Sequence, residues 1–76
     1  MQECINVTMN NEVIKFGKNL KKERLKKGLS QGGVARILGV HRTYISGLER
    51  GARNPSLMTV QKVARALGVK VKNLIE

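Results

Sequence analysis

Counted from Gln31, the stretch Ser30 to Arg50 carries apolar residues at its fourth, eighth, tenth, fifteenth and eighteenth places: Val34, Leu38, Val40, Ile45 and Leu48. Ala35 is fifth and Gly39 ninth. Two short helices that cross steeply need apolar side chains at such places, a small residue where the backbones come closest and a glycine where the chain reverses. Gly39, lacking a Cβ, suits the positive φ that ends one helix and begins the turn. The pattern predicts a helix-turn-helix over about residues 31–50.

The flanking segments read as its support. Val13, Phe16 and Leu20 recur at helical intervals from Glu12 to Lys27, with Gly17 beside them and lysines opposite, which predicts a first helix. Gly28 stands at a left-handed cap position, Leu29 turns inward, and the Ser30 hydroxyl is placed to cap the second helix. A third helix is expected over about His41 to Arg50. Gly51 ends it, Pro55 stiffens the connection, and Ser56 or Asn54 caps a fourth helix whose stripe is Leu57, Val60, Val63, Ala64 and Leu67. Gly68 stops that helix, and the last residues make only a short fifth one. Val69, Val71, Leu74 and Ile75 are a large apolar load for so short an end, so part of this set is expected to face a second copy of the chain. Residues 1–11 lack helical spacing and are expected to form a flexible tail, with a strand or a dimer seam through Cys4, Ile5 and Val7 as the alternatives. The domain proper is expected over residues 12–76.

Charge narrows the partner. Fifteen Lys and Arg against five Asp and Glu give a formal charge of +10, which favours a polyanion: nucleic acid first, an anionic membrane surface second. The chain length of 76 residues suits one small domain, with no room for a separate sensing domain. With one Cys and one His, neither an internal disulfide nor a zinc site of usual spacing is expected, and a cytoplasmic setting follows. There is no signal-like start and no apolar run near the roughly 18 residues that span a bilayer, so no membrane role is expected. The few carboxylates are scattered, and Gly32-Gly33 lacks the context of a phosphate loop; no enzyme activity, cofactor or small-molecule ligand is expected.

A helical wheel separates the roles within the third helix. Ile45 and Leu48 fall on one side. Arg42, Thr43, Ser46, Gly47 and Arg50 fall on the opposite arc, polar, basic and without an acidic residue, which is the face expected in a major groove. Glu49, the one acidic residue between Glu23 and Glu76, falls beside the core. His41 at the helix start reads as a phosphate contact or a solvated residue rather than a metal ligand.

From about Phe16 to Ile75 the chain resembles the Cro and phage-repressor (XRE-like) helix-turn-helix domains. The motifs are R-x-x-K-G-L-S-Q from Arg24 to Gln31, then A-x-x-L-G-V, Y-I-S-x-L-E-R-G, N-P-S-L and A-x-A-L-G-V. Within that family, RTYISGLERGARNPS resembles the controller proteins of restriction-modification systems. The resemblance implies an all-α, compact five-helix lambda-repressor-like fold and a homodimeric transcriptional regulator that binds double-stranded DNA. By position, it makes Arg42, Thr43 and Ser46 the readers of base edges. Arg42 suits the O6 and N7 of guanine, and Thr43 the methyl of thymine. Gln31 would contact a phosphate or a base edge, Tyr44 a phosphate, and Arg53 and Asn54 the backbone. Arg24 and Glu49 match an interior ion pair between the first and third helices. An antitoxin that covers a toxin protein and binds its own promoter is the alternative. The chain departs from the family at Gly32 and Gly33, where acidic residues are usual, at His41, where Ser or Thr is usual, and at Gly47, where many relatives carry a longer polar side chain.

Overall fold

In the computed structural model the backbone is described from Gln2 to Glu76 and the side chains from Asn11 onward. It contains α1 (Gln2–Lys26), α2 (Gln31–Leu38), α3 (Arg42–Glu49), α4 (Leu57–Leu67) and α5 (Val71–Ile75), the all-α, five-helix arrangement expected from the sequence. Helix α1 begins well before the Glu12 expected for it. Residues 2–11 contain neither Gly nor Pro, and once a helix is nucleated by a packed segment, adding residues to its end is easy. The backbone of residues 2–11, for which a flexible tail or a strand was expected, is part of α1, and the roles weighed for the Cys4, Ile5 and Val7 side chains lie outside the described residues.

One core joins all five helices. Phe16 and Leu20 of α1, Val34 and Ala35 of α2, Ile45 and Leu48 of α3, Val60, Val63, Ala64 and Leu67 of α4, and Leu74 of α5 are all buried. Leu29, Leu38, Val69 and Val71 pack against this cluster from its edge. Val40 departs from the expected pattern: it is 38% exposed. Its amide, rather than its side chain, does the folding back, donating to the Ala35 carbonyl at 2.9 Å while Gly39 turns with φ 72°. This 6→1 bond satisfies a carbonyl that the end of α2 would leave open.

Two details fix the helices around α3. Gly17 lies where α1 crosses the end of that helix, and a Cβ placed there would stand 2.3 Å from the Leu48 carbonyl oxygen and 2.9 Å from that of Glu49. Only glycine permits this approach without moving α1 outward. At the far end, Asn19 Nδ2 donates to the Leu74 carbonyl at 2.8 Å, tying α5 to α1 at a helix end whose carbonyls lack intrahelical donors.

This packing corrects one assignment. Leu74, expected at a dimer seam, is 0% exposed within the single chain, so it belongs to the protomer core. Val69 and Val71 are partly buried against the same core. Of the four residues expected at the seam, Ile75 alone is broadly open, at 52%. The physical reason is the shortness of α5: one turn packs its single inward residue, and α1 and α4 take it.

Candidate nucleic-acid interface

Helix α2 starts cleanly in spite of its two glycines. The Ser30 Oγ accepts from the Gly33 amide at 2.9 Å, so the serine half of the cap forms without an acidic side chain at 33. A Cβ at Gly32 would face the Arg42 side chain at 3.9 Å, so the start of α2 lies directly beside the start of α3. His41 occupies the N-cap of α3 in an extended conformation and makes no side-chain cap bond. The departure at His41 therefore does leave this helix start without a side-chain acceptor.

Between these helices runs a chain of polar contacts. Arg24 Nε donates to Glu49 Oε2 at 2.6 Å and Nη2 to Oε1 at 3.1 Å, a bidentate pair whose side chains are 8% and 4% exposed. The third guanidinium nitrogen, Nη1, donates to the Leu29 carbonyl at 2.9 Å. Such a pair is short, directional and costly to break once buried. The pair does not stop at Glu49. Gln31 Nε2 donates to Glu49 Oε1 at 3.0 Å, and Arg42 Nη1 donates to Gln31 Oε1 at 3.4 Å. A buried ion pair is thereby connected through one amide side chain to the exposed arginine at the start of α3. Gln31, expected at a phosphate or a base edge, bridges Glu49 and Arg42 in this structure.

The outer arc of α3 is arranged largely as the wheel places it. Arg42, Thr43 and Arg50 are exposed and Ser46 is half-buried, while Ile45 and Leu48 are fully buried on the opposite side. Gly47 is the exception. It is buried, covered by the stem of Arg53, whose Cγ lies 2.7 Å from where a glycine Cβ would be. The wheel counts only the helix's own neighbours and misses cover that arrives from the next loop.

Tyr44 and Arg53 are brought together. The Arg53 guanidinium carbon lies over the Tyr44 ring at 5.6 Å from its centroid, within reach of a cation–π attraction. The Tyr44 hydroxyl is paired with Thr59 Oγ1 at 3.3 Å, and Thr59 in turn with Ser56 Oγ at 3.0 Å. Ser56 also caps α4, accepting from the Thr59 amide at 3.1 Å. Asn54 is not gathered into this group; it is exposed and borders a groove with Glu12, Val13, Phe16, Pro55, Val60 and Ile75. Sequence reasoning missed Thr59 and the linking role of Gln31. For Gly17 a signal existed, since a glycine between core positions of a helix costs about 1 kcal/mol relative to alanine unless a close approach requires it.

Among the described residues, no group of three or more His, Cys, Asp or Glu side chains is placed to hold a metal, and no helix is long and apolar enough to cross a membrane. What the surface offers is a two-helix wedge with arginines and hydroxyls outward.

Residues 20–74 match the family described as Helix-turn-helix, and the chain belongs to that family. It is similar to the control protein C.BamHI of Bacillus amyloliquefaciens, with 44% identity over 68 residues, 88% of this chain and 84% of that protein. The crystal structure of the restriction-modification controller protein C.AhdI from Aeromonas hydrophila superposes with a TM-score of 0.79 at 42% identity, over 84% of this chain and 97% of the other. A hypothetical transcription factor from Neisseria superposes with a TM-score of 0.82 at 37% identity, over 86% and 75% of the two chains.

Proposed function

We propose that this helix-turn-helix regulator acts in the cytoplasm as a homodimer that reads a pseudo-palindromic double-stranded operator and controls a restriction-modification system, its own gene included. The observation that carries the reading is the outer arc of α3: Arg42 and Thr43 project outward, no acidic residue accompanies them, and Arg42 is held from behind by Gln31. In this reading Arg42, Thr43 and Ser46 read base edges, and Arg53, the Tyr44 edge and the first turn of α4 hold phosphates. The similarity to control proteins supports the regulated system, and the charge of +10 supports fast, salt-dependent association.

Two copies would set their α3 helices into successive major grooves, about 34 Å apart. The seam is drawn from apolar residues open on one chain: Leu57 and Met58 in the first turn of α4, at 72% and 65% exposure, with Ile75 at the end of α5. Ile75 also borders a groove with Pro55 and Val60.

Selection of bound duplexes from a random pool, followed by titration of the selected and a scrambled duplex, tests the reading. A preference of about 10³ or more is expected at physiological salt, and a preference under about tenfold would overturn it. Arg42→Ala should cost about 1–3 kcal/mol and relax selection at one base pair of each half-site. Equal loss on every sequence would instead make Arg42 a backbone contact.

A further inference from the structure

Gly47 sits in the middle of the recognition helix, yet its missing side chain faces neither solvent nor the core. The space a Cβ would take is filled by the stem of Arg53, with Cγ at 2.7 Å, Nε at 3.6 Å and Cδ at 3.7 Å. The loop after α3 is drawn onto the same residue. The amides of Ala52 and Arg53 both donate to the Gly47 carbonyl, at 2.9 and 3.2 Å. From that seat the guanidinium reaches across to the Tyr44 ring, and the Tyr44 hydroxyl is held in turn by Thr59 at the first turn of α4.

We propose that Gly47 is a positioning residue: the gap it leaves on α3 seats the Arg53 stem, so that Arg53 and Tyr44 are already set as a clamp for a DNA phosphate before DNA arrives. The proposal rests on the DNA-binding reading above and adds to it a residue that touches no DNA. An arginine left free in a loop would have to give up its rotamer freedom on binding, whereas one laid along a groove and over a ring has given up most of it in folding. A side chain at position 47 overlaps the middle of the stem rather than its flexible tip, so Arg53 must shift out of its seat. The loss should be of one backbone contact, the same for every DNA sequence.

The test is a cycle of four full-length proteins: the native chain, Gly47→Ala, Arg53→Ala and the double variant. Each is titrated with the selected and the scrambled duplex over a range of salt. Gly47→Ala and Arg53→Ala are each expected to weaken both duplexes by about tenfold per half-site, as for one charge-assisted contact in each protomer, and to reduce the salt slope by about one unit per half-site. In the Arg53→Ala background, adding alanine at 47 should change affinity less than about twofold and leave the thermal midpoint equal or higher, because alanine is the better helix former. Tyr44 is the one tyrosine in a chain without tryptophan, so its near-ultraviolet circular dichroism reports the stacking, and both single variants should change that signal alike without DNA.

A loss on Gly47→Ala that is equally large in the Arg53→Ala background, or confined to the selected duplex, overturns the proposal, since the glycine would then serve the approach of DNA itself. Should Gly47→Ala alone fail to fold, Arg53→Ala against the double variant still decides: equal affinities uphold the seat, and a further loss rejects it. A native chain that does not separate selected from scrambled duplexes is the distinct result that overturns the DNA reading.

Discussion

Glu49→Ala is expected to remove about 3–5 kcal/mol of folding stability, because it leaves the Arg24 guanidinium buried without its carboxylate. That is a large share of the roughly 5–15 kcal/mol that holds a typical domain together. Urea unfolding should show the midpoint falling with an unchanged slope. A loss below about 1 kcal/mol would mean that the pair behaves as an exposed one, contrary to its 8% and 4% exposure. The structure also predicts a dissociation of two effects. Replacing both partners together, Arg24→Met with Glu49→Leu, should recover most of the stability, since apolar substitutes of similar volume often match a buried pair. DNA selectivity should not recover with it, because Gln31 would have lost the carboxylate that fixes its amide and Arg42 its oriented acceptor. Full recovery of both would reduce the pair to a packing element.

The second large effect separates core from seam. Leu74→Asp should leave the chain unfolded at 25 °C, because removing a buried leucine costs about 2–5 kcal/mol and a carboxylate in its place adds several more. The helical circular dichroism signal should collapse, and a folded monomer would show that Leu74 lies outside the core. Met58→Asp with Ile75→Lys places an acid at the start of α4 and a cation at the end of α5, both on open positions and both compatible with the helix dipole. This pair should keep the helical signal and sediment as a monomer, whereas the native chain is expected to sediment as the proposed dimer. A retained dimer mass would move the seam to another face.

The contrast marks where the sequence was readable. Ile45, Leu48, Phe16 and Leu20 declare their burial through a period that only a helix produces, and Gly39 and Gly68 declare the ends. Of the inner pair, Glu49 was legible as a solitary acid beside apolar positions, while Arg24 as its partner followed from the family resemblance. Leu74 was not legible, since one turn of helix has too few positions to show which side faces in. Nor was the cover over Gly47, because the atoms come from Arg53, six places on in an irregular loop. The role of Gln31 was half visible: its place at the start of α2 is written in the pattern, but its two partners belong to α3 and meet it only after the turn closes.

The polar chain behind α3 divides the recognition surface into parts of unequal freedom to diverge. Thr43 stands exposed on the outer arc and Ser46 half-buried beside it, so on the proposed base-reading roles exchanges there should redirect the chain to a new operator with little change in folding. Arg42 is different: its Nη1 leans on Gln31, and Gln31 on the carboxylate that neutralises Arg24. If Arg42 reads a base as proposed, a lineage that changed that base would have to retune the residue at 31 as well, so positions 31 and 42 are expected to drift as a pair and 43 and 46 one at a time.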